Sequence, residues 1–240
     1  MKKKILIGTS GWVYEHWRGV FYPEELSQSE WLAFYMEHFD TVEINNTFYH
    51  LPSKETFLGW HRAAKRGFIY SVKASRYITH MKKLLKPEKP LSLFMERALL
   101  LEENLGPILF QLPPRWHSNP KRLEEFLERL PSGRRFVFEF REESWFSKEV
   151  YRILENKGVG LCLYHMPSFT TPVVVTAEFV YIRFHGSGTL YGGRYEKEFL
   201  KRWATTIKGF LKDGLTVYVY FNNDAMGNAV INAKELEEFF

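Results

Sequence analysis

Residues 136–163 decide the fold. Phe136-Val137-Phe138-Glu139-Phe140-Arg141 is a β-rich run, Lys148 to Asn156 is an amphipathic stretch, and Gly158 stands before a second β-rich run, Val159-Gly160-Leu161-Cys162-Leu163. Strand, helix and strand in succession predict two parallel strands joined by a right-handed crossover. Working outward, the same succession recurs along the 240 residues, with expected strands Ile5 to Thr9, Thr41 to Asn45, Ile69 to Lys73, Ile108 to Gln111, Phe136 to Arg141, Val159 to Leu163, Phe179 to His185 and Thr216 to Asn222. Expected helices are Ser29 to His38, Ser53 to Lys65, Pro90 to Asn104, Pro120 to Leu130, Lys148 to Asn156, Glu196 to Lys212 and Ala229 to Phe240. Eight such units predict one α/β domain over residues 1–240, a TIM-type (β/α)8 barrel. One unit departs: Met166 to Glu178 holds two prolines and Val173-Val174-Val175, so a short or missing helix is expected between strands six and seven. Gly67, Gly106, Gly158 and Gly214 sit where a left-handed residue would end a helix.

Composition sets the class. Hydrophobic residues make up 45% and charged residues 25%, as in ordinary globular proteins, while 17% aromatic residues leave rings for a pocket. The basic start Met1-Lys2-Lys3-Lys4 precedes only Ile5-Leu6-Ile7 before Gly8, too short for a signal peptide, and no apolar run approaches a membrane span. The expected location is cytoplasmic, with no membrane partner. Cys162, the single cysteine, lies in an apolar run and reads as a small buried hydrophobe. A net charge of +5 favours anionic partners, although the charges are intermixed. Arg76 to Lys89 is the densest basic segment and reads first as a solvated face, second as a nucleic-acid track.

Candidate site residues follow from alternation. A barrel strand points every second residue inward, and here the inward set ends in polar groups: Glu43 and Asn45, Ser71 and Lys73, Glu139 and Arg141, Arg183 and His185, then Asn222, with Gln111 ending strand four. TIM-type enzymes place their chemistry at this end of the strands. The bland alternative is a buried layer of ion pairs, because interior charges must be paired. Two acids, Glu43 and Glu139, against Lys73, Arg141 and Arg183 leave an excess of cations that a phosphate or carboxylate would satisfy. The turn after Thr9 and the His185-Gly186-Ser187-Gly188 loop are further anion candidates, and simple flexible turns are the alternative. Trp12, Tyr14, Trp17, Phe48, Tyr49, Trp145, Tyr164 and Tyr191 crowd the expected rim, as stacking platforms or as core. No His-x-His, His-Glu-x-x-His or Cys-x-x-Cys spacing is present, so no metal is expected at this site; a set drawn from Glu43, Glu139, His185 and Asp224 is the weaker alternative. No Gly-x-Ser-x-Gly elbow is present either.

These residues fall in a familiar order. Gly8-Thr9-Ser10-Gly11-Trp12, Thr41-Val42-Glu43-Ile44-Asn45 with Thr47-Phe48-Tyr49, Phe68 to Lys73, Gln111-Leu112-Pro113-Pro114, Glu139-Phe140-Arg141 with Ser144-Trp145, Tyr181 to Gly186 and Tyr220-Phe221-Asn222-Asn223 together resemble the domain-of-unknown-function 72 family, the YecE-like proteins, over essentially the whole length. The resemblance implies a TIM-type barrel and no established activity. The resemblance also implies an acidic residue just after strand six in many members, where this chain has Tyr164-His165.

Three functional readings follow. The first is a metal-independent enzyme acting on a phosphate-bearing or otherwise anionic small molecule or nucleotide. Lys73, Arg141 and Arg183 would hold the anion; Thr9, Asn45, Gln111 and Asn222 would orient it; Glu43, Glu139 and His185 would move protons. No cofactor is indicated. The second is a nucleic-acid-binding or nucleic-acid-processing barrel analogous to the endonuclease IV-like proteins, and the third is a non-catalytic ligand-binding barrel.

Overall fold

The computed structural model describes residues 5–240; Met1-Lys2-Lys3-Lys4 lies outside the described residues. The strands are β1 (Ile5–Thr9), β2 (Thr41–Ile44), β3 (Ile69–Lys73), β4 (Leu105–Gln111), β5 (Phe136–Glu139), β6 (Gly160–Met166), β7 (Phe169–Thr170), β8 (Phe179–Phe184) and β9 (Thr216–Phe221). The α-helices are α1 (Trp31–His38), α2 (Asn46–Tyr49), α3 (Lys54–Ala63), α4 (Glu88–Ala98), α5 (Pro120–Leu127), α6 (Lys148–Asn156), α7 (Lys197–Lys212) and α8 (Asn228–Glu237). Strand order is β1-β9-β8-β6-β5-β4-β3-β2, with β7 paired to β6, and an isolated parallel bridge joins Ser10 to Glu43. The fold is a TIM-type α/β fold with a mostly parallel sheet.

The chain forms two compact units. The first gathers the chain up to Glu43, Leu163–Val173 and Phe179–Phe240. Its β1, β9 and β8 run parallel in continuous register, Ile5↔Val217 to Thr9↔Phe221 and Phe179↔Thr216 to Phe184↔Phe221. Gly8 is required there: a Cβ would stand 2.2 Å from the Thr41 carbonyl oxygen. Helix α7 buries Leu200, Trp203, Ala204, Ile207 and Phe210, and α8 buries Ala229, Val230, Ala233 and Leu236, both at the three- and four-residue spacing of one helical face.

The second unit gathers Ile44–Cys162 and Val174–Glu178. Strands β3, β4 and β5 and the start of β6 pair in parallel, as the quoted stretch predicts. Local chemistry starts its helices. The Ser53 hydroxyl caps α3, Asn119 caps α5 ahead of Pro120, and the Ser147 hydroxyl caps α6, each cap contributing about 1 kcal/mol.

Two details differ from the sequence reading, at Gly106 and at α2, while the missing helix between β6 and β8 is as expected. Gly106 lies inside β4 rather than at a helix stop, where a Cβ would strike Ile69 Cγ2 at 2.5 Å, so it is small for packing, not for a left-handed turn. Gly67, Gly158 and Gly214 do have positive φ. Helix α2, one turn long, lies where no helix was expected. No helix is assigned between β6 and β8 among the described residues; instead β7 pairs antiparallel with β6 through His165↔Thr170 and Met166↔Phe169. Threonine hydroxyls take over ladder bonds there: Thr171 Oγ1 accepts from Tyr164 N at 3.0 Å in the first unit, and Thr176 Oγ1 accepts from Leu161 N at 2.8 Å in the second. Among the described residues, no helix is long and apolar enough to cross a membrane.

Candidate functional site

In the first unit the polar strand ends form a buried chain. Glu43, at the end of β2, accepts from Ser10 Oγ at 2.8 Å, from Tyr181 OH at 2.5 Å and from Arg183 Nη2 at 2.6 Å. Glu43 and Arg183 are both fully buried. Tyr181 and Arg183 alternate on β8, so period-two geometry aims both side chains at one carboxylate. Burial and then the Glu43 charge push the Tyr181 phenol well above its ordinary range, which keeps it a donor. The network continues outward. Arg183 Nη1 stands 3.4 Å from His185 Nε2. Asn222 Nδ2, an amide donor, stands 3.0 Å from His185 Nδ1, so Nδ1 is the accepting nitrogen in that contact.

Loop geometry in the same unit is set by internal bonds. Thr9 is buried, its hydroxyl donating to the Gly11 carbonyl at 2.6 Å. The amides of Gly186, Ser187 and Tyr191 bond to Tyr195 OH, Gly192 O and His185 O respectively. Gly186 has φ 126° and a Cβ there would meet the Thr189 carbonyl oxygen at 2.1 Å. The Gly/Ser loop after β8 is therefore a tightly folded turn rather than an open cradle of amides.

The second unit holds a separate constellation. Glu139, fully buried at the end of β5, pairs with Arg141 Nε, and Cys162 Sγ approaches its other oxygen at 3.6 Å. Gln111 stands opposite Glu139 in the β4–β5 register. Lys73 Nζ lies 4.2 Å from the Phe48 ring centroid, a cation–π distance, and Thr47 Oγ1 donates to the Lys73 carbonyl at 2.6 Å, tying α2 to the end of β3. His80 meets the Phe48 ring edge-on, centroids 5.0 Å apart. It sits in a π-helical turn, Tyr77–Met81, a geometry found often at functional sites. Burial first, then the positive charges of Lys73, Arg76 and Arg141, lower the His80 pKa to about 4, so the ring is neutral at physiological pH. Asn45 Oδ1 is buried without a hydrogen-bond partner.

The structure thus brings Glu43, Arg183, His185 and Asn222 together in the first unit, with Thr9 at the end of β1, and Glu139 and Arg141 together in the second, where Asn45, Lys73 and Gln111 also lie. His80 is the neighbour that strand alternation missed, because it lies on a turn. The expected aromatic rim is largely core: Trp17, Trp145 and Tyr164 are essentially buried, and Trp145 stacks on Phe140 at 4.8 Å and 4°. Tyr49 and Tyr191 remain exposed. Cys162 is buried, as its apolar run predicts.

Comparison with known proteins agrees with this architecture. A family described as "Protein of unknown function DUF72" matches residues 6–240. The UPF0759 protein YunF of Bacillus subtilis is 25% identical, the match covering 98% of this chain and 94% of that protein. The UPF0759 protein YecE of Escherichia coli K12 is 28% identical over 160 residues, covering 65% of this chain and 55% of YecE. Among solved structures, a DUF72 family protein of Thermotoga maritima superposes with TM-score 0.89 at 30% identity over 98% of both chains. One from Enterococcus faecalis does so with TM-score 0.84 at 19% identity, over 98% of this chain and 94% of that one, a likeness of fold. Matched from residue 6 to its last residue, this chain belongs to the DUF72 family of proteins of unknown function.

Proposed function

We propose that the protein is an enzyme acting on a phosphate-bearing or otherwise anionic small molecule, bound in the second unit where β3, β4 and β5 end. The observation that carries this reading is the gathering of Lys73, Arg76 and Arg141 around the half-buried His80 imidazole. Burial first and these cations second keep the histidine neutral, and the same cations attract a phosphate, which would offset their mutual repulsion. Lys73 and Arg141 hold the anion, with Glu139 orienting the guanidinium. Gln111 and Asn45 orient the ligand, and a ligand N–H or O–H would satisfy the orphaned Asn45 Oδ1.

Proton transfer is assigned to Glu139 in the second unit, because carboxylates can be tuned to work near neutral pH. Within the first unit, Glu43 and Arg183 fix one edge of the His185 ring, Asn222 the other, and Thr9 shapes the turn at Ser10-Gly11. No step in this reading requires a metal.

Calorimetric titration with inorganic phosphate and with adenosine monophosphate at low ionic strength tests the reading. Saturable binding should weaken about tenfold or more in Lys73→Met and in Arg141→Met, as expected for loss of a charged hydrogen bond. Wild-type affinity in both variants, or no saturable binding of either anion by the native protein, would overturn it. Glu139→Gln should retain binding and lose turnover of whichever phosphate ester the native protein consumes.

A further inference from the structure

Also in the second unit, but away from the ends of β3 and β5, helix α3 and the turn leading into β4 bring three donor groups together. His61 lies in the last turn of α3, Glu102 and Glu103 lie in the 3-10 segment Leu99–Asn104, and one ligand atom from each stands within 4.8 Å of the others. Exposed carboxylates alone would mean little. The histidine among them is held in a fixed state from behind.

Asn104 is nearly fully buried, and its Nδ2 donates to the Phe68 carbonyl at 2.8 Å, which settles the direction of the amide. Its Oδ1 therefore faces His61 Nδ1 at 2.8 Å. A carboxamide oxygen only accepts, so Nδ1 carries a proton and Nε2 is turned toward the carboxylates, 3.8 Å from Glu102 Oε2. A neutral imidazole lone pair facing a carboxylate repels it. A cation between them, a proton on Nε2 or a metal, removes the conflict.

The geometry points to a divalent transition-metal site of the zinc type, ligated by His61 Nε2, Glu102 and Glu103 and completed by water. Zinc bonds of about 2.0–2.2 Å place tetrahedral ligands roughly 3.4 Å apart. The 3.8 Å separation is close to that, and the exposed glutamates can close the remainder by rotation. One imidazole and two carboxylates suit zinc, cobalt or nickel better than magnesium, which keeps most of its waters. Asn104 is the outer partner that a metal-bound histidine characteristically has, fixing its tautomer and ring direction. Such an ion would tie the end of α3 to the segment entering β4. That is the N-terminal end of the strand, where TIM-type folds place stability rather than chemistry.

Chelator-stripped protein titrated with Zn2+ by calorimetry, and with Co2+ by visible absorption, tests the site. We expect one saturating equivalent in the micromolar range, a higher unfolding midpoint, and affinity weakened about tenfold or more in His61→Ala and in the double variant Glu102→Gln/Glu103→Gln. The glutamine changes are on exposed positions, so they keep the test decisive even if His61→Ala folds poorly. Absence of saturable binding below millimolar metal, or unchanged affinity in the glutamine variant, overturns the proposal. So does a His61 NMR titration that responds to Glu102→Gln but not to Zn2+, which would identify a simple ion pair.

Discussion

Each unit contains a fully buried glutamate at a strand end facing an arginine, and the two pairs are built differently. Glu43 is a junction: its donors come from Ser10 after β1 and from Tyr181 and Arg183 on β8, so one carboxylate fastens three chain segments. Glu139 and Arg141 are two residues apart on one segment, and a thiol is the weaker donor at the other carboxylate oxygen. The first pair is dispersed in sequence; the second is local and turned toward Lys73 and His80 through its charge. Identical residue types can thus fasten a barrel in one place and present a guanidinium in another. What separates them is where the arginine comes from: β8 for Glu43, the same segment for Glu139.

The contrast can be broken. Arg183→Met strands the buried Glu43 charge and should cost about 3–5 kcal/mol of unfolding free energy, read by urea denaturation, whereas Arg183→Met/Glu43→Leu should recover much of it. Arg141→Met should cost less than Arg183→Met in the same experiment, because its side chain is not wholly buried, while losing phosphate affinity. Equal costs would mean that both pairs are fasteners. A smaller effect concerns pH. His80 is held from its ordinary 6.5 down to about 4 in the folded state, so the unfolded chain takes up a proton first as pH falls. Its stabilising contribution is present above pH 6.5 and is lost between there and pH 4. The stability profile of His80→Gln should be flatter across that window, and phosphate should move the His80 NMR titration upward by neutralising the neighbouring cations. Smallest of all, Ser10→Ala removes one of three donors from Glu43 and should cost about 1 kcal/mol.

The strands were legible because buried parallel strands read as bounded apolar runs. β1 and β3 match their expected limits to the residue. Strands β5, β8 and β9 end earlier than expected, at Glu139, Phe184 and Phe221, although the His185 and Asn222 amides still bond to the neighbouring segments. Alternation likewise marked Glu43, Glu139 and Arg183, but it carries no information about which cation meets which carboxylate across distant strands. Helix α2 was invisible because four residues are too few to display a 3.6-residue period. Tyr181 was invisible for another reason: it reads as an apolar core residue, and only its hydroxyl reveals the buried carboxylate it serves. The large aromatic residues misled in the opposite direction, since rings in loop segments turned inward to pack.

The π-helical turn Tyr77–Met81 carries one further consequence. Such a turn accommodates one residue more than an α-helical turn of the same rise, so its length sets the angular position of everything after it. Deleting one residue upstream of His80 would turn the following side chains by about 100°. That rotation would swing the imidazole off the Phe48 edge without altering a single charged residue. Segment length alone would then separate a chain that can gather cations around a neutral ring from one that cannot.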